Sequence, residues 1–117
     1  MPKEFNRSDR IAELIQQELA QLIQFEVKDP RITSMITVSA VRVTRDLEHA
    51  KVYITVFGDA EQEKICLKIL NHAASFFRRE LSHRIDMRVV PELTFVYDHS
   101  LEEGNKIADL LRNIEKD

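Results

Sequence analysis

Basic side chains follow one side of a long helical pattern, residues 61–83, in the middle of this chain. On a helical wheel the apolar residues of the segment fill one arc. The polar residues opposite that arc are Lys64, Lys68, Asn71, Ser75, Arg78, Arg79 and Ser82. Cations of one sign in a row can follow a phosphate backbone, because each contact releases a condensed counterion. The pattern therefore predicts a nucleic-acid-binding face, with a solvated helix surface as the plainer alternative.

Four further cations could extend this basic face. Arg84 and Arg88 lie just beyond the end of the helical pattern. Arg45 and Lys51 lie in a predicted hairpin, and they would flank the helix if the sheet packs beneath it. We therefore count all four among the candidate nucleic-acid contacts.

The distribution of charge favours this interpretation more than the total does. The net charge is -3, which alone argues weakly against nucleic acid. Residues 64–88, however, hold six basic and two acidic side chains, whereas residues 92–117 hold three and seven. A phosphate backbone responds to the local field, so a basic middle between acidic ends remains compatible with nucleic-acid binding.

No constellation of residues predicts catalysis, a metal site or a cofactor. The four histidines lack metal-ligand spacing, and the single Cys66 falls among apolar positions. Residues 98–100 (Asp-His-Ser) contain the types of a hydrolase triad, but adjacent residues rarely supply its geometry. Two glycines leave no phosphate loop or dinucleotide-binding motif. We therefore expect no enzymatic activity, no metal and no cofactor.

Length and composition indicate one cytoplasmic domain. A chain of 117 residues with 44% hydrophobic content can bury its own core, and 2 Gly with 3 Pro leave little material for linkers. No apolar run approaches the roughly 20 residues that span a bilayer. The charged N-terminus lacks a signal-peptide segment, and a lone cysteine agrees with a reducing compartment. We expect no membrane association.

Hydrophobic periodicity predicts an α+β domain in the order helix, strand, strand, helix, strand, helix. These elements fall at residues 8–26, 36–44, 50–57, 61–83, 89–97 and 101–114. A shift in apolar phase predicts a bulge near Ser39-Ala40, and Pro91 inside the third strand predicts an edge position or another bulge.

Aromatic residues on predicted strands could stack on nucleic-acid bases. Phe95 and Tyr97 share a face with Leu93 and are therefore expected in the core. Tyr53 points away from its apolar strand neighbours, so it is the one strand aromatic that we predict could stack on a base.

Three short segments of the sequence, each rich in structural signals, carry a family resemblance. Val89–Gly104 reads as a strand, a short break and a helix start, in which Ser100 and Glu103 have capping-box spacing. Val41–Gly58 reads as strand, turn and strand, and Val27–Ile32 follows the first helix. In this order they closely resemble the bacterial ribosome-binding factor A family over nearly the whole chain.

The resemblance implies a type II K-homology (KH) fold, α-β-β-α-kink-α-β, in a single domain spanning residues 1–117. A further C-terminal helix at about residues 100–115, without a long tail, completes the expectation. The family marks its kink with Ala-x-Gly, and the aligned residues here are Ala73-Ala74-Ser75. We expect the kink near Ser75, although serine lacks the freedom of glycine at positive φ.

By the same resemblance, the chain is expected to be a non-catalytic factor in small-subunit assembly. It would bind free 30S subunits and 16S rRNA and assist maturation of the 16S rRNA 5′ end, especially in the cold. Other assembly factors are further candidate partners, and the protein is expected to be a monomer. The expected RNA-binding residues are Arg45, Lys51, Lys64, Lys68, Ser75, Arg78, Arg79, Arg84 and Arg88.

The acidic C-terminal segment supports an alternative function. The protein could be an adaptor that binds a basic ribosomal protein or an assembly GTPase through Glu102, Glu103 and Asp109. That binding would survive loss of the basic face and fail when these three acids are neutralised.

Overall fold

Three helices and three strands make up most of the chain in the computed structural model, which describes residues 6–32, 35–100 and 110–112. They are α1 (Arg7–Phe25), β1 (Ile36–Val43), β2 (His49–Val56), α2 (Ala60–His72), α3 (Ala74–Arg84) and β3 (Glu92–Tyr97). This order confirms the α-β-β-α-kink-α-β arrangement. The predicted last helix lies outside the described residues, except for 110–112, which are helical.

α1 begins at Arg7, one residue before the predicted start, and Asn6 caps it through a capping box. The Asn6 side chain accepts a hydrogen bond from the Asp9 backbone N–H (2.9 Å), and the Asp9 carboxylate accepts one from the Asn6 N–H (3.3 Å). Ser8, the first residue of the predicted helix, donates its hydroxyl to Asn6 Oδ1 (2.6 Å). The apolar stripe of the helix then lies buried against the sheet.

The described strands form one sheet in the order β1-β2-β3. β1 and β2 are antiparallel, and β2 and β3 are parallel. The register shifts between Val38 and Ala40, which confirms the predicted bulge. Ladder pairing of β3 starts at Glu92, because Pro91 has no N–H to donate. β3 is thus an edge strand among those described.

The core lies between one face of this sheet and the helices. Alternate residues of β2 (Val52, Ile54 and Val56) are buried there. Phe77 of α3 meets Phe95 of β3 with ring centroids 5.4 Å apart. Because residues of a strand alternate between faces, the intervening residues of β2 project from the opposite face, which we call the open face.

The end of β3 is held across the open face by a contact distant in sequence. Ser39, at the bulge, donates its hydroxyl to Asp98 Oδ2 (2.6 Å), and the Asp98 N–H donates to the carbonyl of Ile54 (2.8 Å). A bulge that redirects one side chain thus anchors the residue immediately after the third strand. No helix in the described residues is long and apolar enough to cross a membrane.

Candidate nucleic-acid interface

The break between α2 and α3 falls at Ala73, two residues before the predicted Ser75. Ala73 has φ -91° and ψ 8°, and its N–H donates to the carbonyls of Ile69 (3.0 Å) and Leu70 (3.1 Å). Ser75 lies exposed in the first turn of α3. Among described residues, only Leu47 has a positive φ. The kink therefore does not use the conformational freedom of glycine, and serine is compatible with it.

A row of exposed basic residues runs along α2 up to this break. Lys64, Lys68 and His72 are spaced four residues apart, so they lie on one side of the helix. None of them has a hydrogen bond or ion pair within the described part of the chain. The acids Glu61 and Glu63 lie in the first turn of α2, which follows the N-cap residue Asp59. The row is therefore available to an anion.

Arg31 adds a cation to the row, and sequence reasoning missed it. Arg31, Lys68 and His72 line one cleft of about 320 Å³, together with Asp29 and Ala73. The sequence signal for Arg31 is the tract Val27–Ile32, whose family resemblance does not show where this side chain lies. Its position beside α2 depends on the tertiary fold.

Asp29 fixes the orientation of the Arg31 guanidinium. Arg31 Nε and Nη2 donate to the two carboxylate oxygens of Asp29 at 3.0 and 2.8 Å, and the Arg31 backbone N–H donates to Oδ1 at 2.9 Å. These hydrogen bonds lower the pKa of Asp29 to about 2. Because the fork is bidentate, the remaining N–H groups of Arg31 are held in place beside the cleft.

Two of the predicted contact residues, Arg78 and Arg84, have partners within the fold. Arg78 Nη2 donates to the carbonyl of Val90 (2.9 Å), and its Nε is buried without a hydrogen-bond partner. Arg84 Nη1 lies 3.2 Å from Glu18 Oε2 and so joins α3 to α1. Arg78 and Arg84 therefore do not continue the row Lys64, Lys68 and His72 as unpaired cations, because both side chains already have internal partners. RNA contact by Arg78 and Arg84 remains a prediction.

The other predicted cations are dispersed. Arg79 is exposed on α3, Arg45 is exposed in the β1–β2 turn, and Arg88 is exposed in the segment before β3. Lys51 projects from the open face, opposite Arg42 of β1. The expectation that Lys51 flanks the helices is wrong, because its neighbours on β2 are the ones buried beneath them.

Asn71 does not belong to the exposed basic row. Its side-chain Nδ2 donates to the carbonyl of Phe95 (3.0 Å), and its Oδ1 accepts the Phe95 N–H (2.9 Å). This pair of hydrogen bonds ties α2 to the edge of the sheet. These two hydrogen bonds therefore fix the position of α2, which carries the row, relative to the sheet.

Cys66 and Asp98, two of the residues whose types could suggest catalysis, have structural roles. Cys66 is buried, and burial raises the pKa of its thiol. The carboxylate of Asp98 accepts hydrogen bonds from Ser39 and from the Ser100 backbone N–H. Across residues 6–32, 35–100 and 110–112, no group of three or more His, Cys, Asp or Glu side chains could hold a metal ion. The adaptor residues Glu102, Glu103 and Asp109 lie outside the described residues.

Sequence comparisons identify the family. The model of the family described as ribosome-binding factor A matches residues 7–111 of this chain. The ribosome-binding factor A of Thiobacillus denitrificans is 50% identical over 111 residues, which cover 95% of this chain and 89% of that protein. That of Methylobacillus flagellatus is 53% identical over 112 residues, which cover 95% and 86%.

Structural comparisons agree with this assignment. The crystal structure of ribosome-binding factor A from Thermus thermophilus matches with a TM-score of 0.69 and 29% identity, over 80% of this chain and 97% of that one. A homology model of the same factor, fitted into a cryo-EM map of its complex with the 30S subunit, gives 0.66 and 31% over the same shares. The chain, matched over nearly its full length, belongs to the ribosome-binding factor A family.

Proposed function

We propose that this protein is a non-catalytic assembly factor that binds the free 30S subunit, and that its main contacts are 16S rRNA phosphates at the α2–α3 break. Family membership supports the subunit as partner, as does the Thermus thermophilus relative fitted into a 30S complex. The observation that carries the RNA contact is the exposed row Lys64, Lys68 and His72, of which Lys68 and His72 line one cleft with Arg31.

The row suits a phosphate backbone for two electrostatic reasons. Lys64 and Lys68 have no internal ion pair in the described chain, so binding breaks no existing salt bridge. The guanidinium of Arg31 is already oriented by Asp29, so less side-chain freedom is lost when it meets a phosphate. The overall charge of -3 does not oppose this, because screening limits the reach of distant acids to about 10 Å.

The mechanism we propose is a shift in the population of RNA conformations. A protein that binds one arrangement of the immature rRNA better than another stabilises it by the difference in binding free energy. Assistance to 16S rRNA 5′-end maturation follows if that arrangement exposes the precursor to processing. Misfolded RNA helices persist longer in the cold, so the effect should matter most there.

Further contacts and properties complete the proposal. Arg79 and Ser75 extend the interface beyond the break, and Arg45 and Arg88 contact RNA at the hairpin end of the domain. The protein acts in the cytoplasm as a monomer with no cofactor, and other assembly factors join it on the subunit.

Co-sedimentation with purified 30S subunits tests the proposal. Lys64→Gln/Lys68→Gln should weaken binding at least about tenfold, because two charge-assisted contacts are lost. The slope of log affinity against log salt should fall in magnitude by about 1.4 to 1.8, the share of two phosphate contacts.

The matched control compares single charge reversals. Arg10 is exposed near the start of α1, away from the cleft, so Arg10→Glu changes the net charge as much as Lys68→Glu does. Only Lys68→Glu should weaken binding strongly. Equal weakening by both would show that total charge, and not the row on α2, governs association, and unchanged binding by the double variant would refute the interface.

A further inference from the structure

Two cations face each other across neighbouring strands on the open face of the sheet. Arg42 of β1 is the direct cross-strand partner of Lys51 of β2, and Thr94 of β3 lies beside Lys51 on its other side. Both cations are exposed, and neither has an ion pair or hydrogen bond within the described chain. Like charges placed directly opposite destabilise a strand pair. The arrangement becomes favourable when an anion lies between them.

An aromatic ring stands next to this pair of cations. Tyr53 follows Lys51 by two residues on β2, so both project from the open face. Its cross-strand neighbours, Ala40 and Val96, are small or aliphatic, and the ring contacts no other aromatic ring in the described residues. Arg42, Lys51 and Tyr53 line one groove of about 340 Å³. Cations and a ring therefore face the same space.

Among the described residues, the carboxylates near this groove lie towards its two ends, and one of them, Asp46, accepts the hydroxyl of the groove residue Thr44 (2.6 Å). At one end Glu92 faces His49, with 3.9 Å between His49 Nδ1 and the nearest Glu92 oxygen. At the other end Asp98 is held by Ser39. The positive field is thus confined to the middle of the sheet. This favours a short stretch of ligand over an extended one.

A nucleotide segment fits these groups better than an acidic peptide. An acidic peptide would satisfy Arg42 and Lys51 but would leave the Tyr53 ring without a specific partner. Single-stranded RNA offers both a phosphate for the cations and a base to stack on the ring. Duplex RNA is less suitable, because its bases are already stacked on one another and are not free to stack on a side chain.

We propose that the open face is a second RNA-binding surface, on which one unpaired base stacks on Tyr53 while the adjoining phosphates pair with Arg42 and Lys51. The proposal rests on the proposed function for the source of the RNA, but its contacts are separate from the α2 row. The two surfaces lie on opposite sides of the sheet. The protein would then hold two rRNA segments in one relative arrangement.

Binding of a labelled oligouridine of about eight nucleotides, the span of one small single-strand site, tests this surface in the full chain. Arg42→Gln/Lys51→Gln should weaken binding at least tenfold and lower the salt slope by about 1.4, the share of two contacts on a single strand. Tyr53→Thr should weaken binding about fivefold or more, whereas Tyr53→Phe should retain it, because stacking needs only the ring. Oligouridine binding that does not depend on Arg42, Lys51 or Tyr53 would overturn the proposal.

A spectroscopic variant keeps the test valid if Tyr53→Thr fails to fold. The chain has no tryptophan, so Tyr53→Trp provides a single indole signal. Oligouridine should quench that signal at the concentration that saturates binding. Unquenched fluorescence at saturation would contradict stacking. Competition by polyglutamate as strong as that by oligouridine, with no effect of Tyr53→Thr, would point to an acidic protein and overturn the RNA assignment.

The α2 row supplies the comparison that separates the two proposals. Lys64→Gln/Lys68→Gln should weaken 30S co-sedimentation, and it should weaken oligouridine binding less than Arg42→Gln/Lys51→Gln does. If 30S binding falls but wild-type protein does not bind oligouridine, the open-face proposal fails and the proposed function stands. If oligouridine binding depends on Arg42 and Lys51 while 30S binding does not depend on the α2 row, the open-face proposal stands and the proposed function fails.

Discussion

The side chain of Asn71 makes both hydrogen bonds that a neighbouring strand would make to Phe95. Its Nδ2 donates to the Phe95 carbonyl at 3.0 Å and its Oδ1 accepts the Phe95 N–H at 2.9 Å. Exposed strand edges invite pairing with other chains, and a side chain that occupies the edge groups prevents this locally. The same contact sets the distance between α2 and the sheet, and so the position of the row on α2.

Asn71→Ala should destabilise the fold. The change leaves the Phe95 N–H and carbonyl without their partner, so we expect the free energy of unfolding to fall by about 1–3 kcal/mol. Urea denaturation followed by circular dichroism measures it. Lys68→Ala, one turn earlier on α2, is the control and should change stability by no more than about 0.5 kcal/mol. Equal stability of both variants would mean that water replaces Asn71 without cost.

Arg78 and Arg79 are adjacent in sequence but should respond differently to the same substitution. Arg78→Met removes the hydrogen bond to the Val90 carbonyl, so it should lower the free energy of unfolding by about 1–3 kcal/mol. Arg79→Met should leave stability within about 0.5 kcal/mol, because the side chain is exposed and has no partner among the described residues, but it should weaken 30S binding. Denaturation and co-sedimentation on both variants check this. Stability loss confined to Arg79→Met would reverse the assignment.

Acid should weaken the anchor at the end of β3. Hydrogen bonds from Ser39 and Ser100 hold the pKa of Asp98 at about 2, below its ordinary 3.8. Because the folded pKa is depressed, the stabilisation is complete above about pH 4 and is lost as pH falls towards 2. Carboxyl NMR titration should show the pKa of Asp98 rising towards its ordinary value in Ser39→Ala. An unchanged pKa in that variant would exclude Ser39 as the main cause.

Ser75→Gly tests whether the kink needs a flexible residue. Ser75 lies in the first turn of α3 with an ordinary helical backbone, so glycine should lower stability by about 0.5 kcal/mol through its greater unfolded-state freedom. Thermal unfolding measures the change, with Ser75→Ala as the control that should be neutral or slightly stabilising. A gain in stability with glycine would indicate backbone strain at this position.

The order of elements could be predicted because it depends on local periodicity. The bulge at Ser39-Ala40, the edge position of the strand after Pro91 and the buried Cys66 followed from apolar phase and proline chemistry alone. The helical wheel also placed Lys64 and Lys68 on one side correctly, because both precede the break.

The positions and partners of the other cations could not be predicted from a helical wheel. A single wheel over residues 61–83 assumes one helix axis, whereas the break at Ala73 starts a second one. The partners of Arg78 and Arg84 are the Val90 carbonyl and Glu18, which only the tertiary fold brings near. The same applies to Arg31, whose place beside α2 depends on how the chain returns after α1.

At Ala73 the carboxyl end of α2 meets the amino end of α3 with its hydrogen bonding continued, since the Ala73 N–H donates backwards and its carbonyl accepts from Phe77 at 3.0 Å. The partial negative charge that closes one helix dipole therefore lies against the partial positive charge that opens the next, and the two largely cancel. The backbone at this break offers little attraction of its own to a phosphate. The dependence of RNA binding on ionic strength at this break should therefore reflect only the contacts made by lysine and arginine side chains.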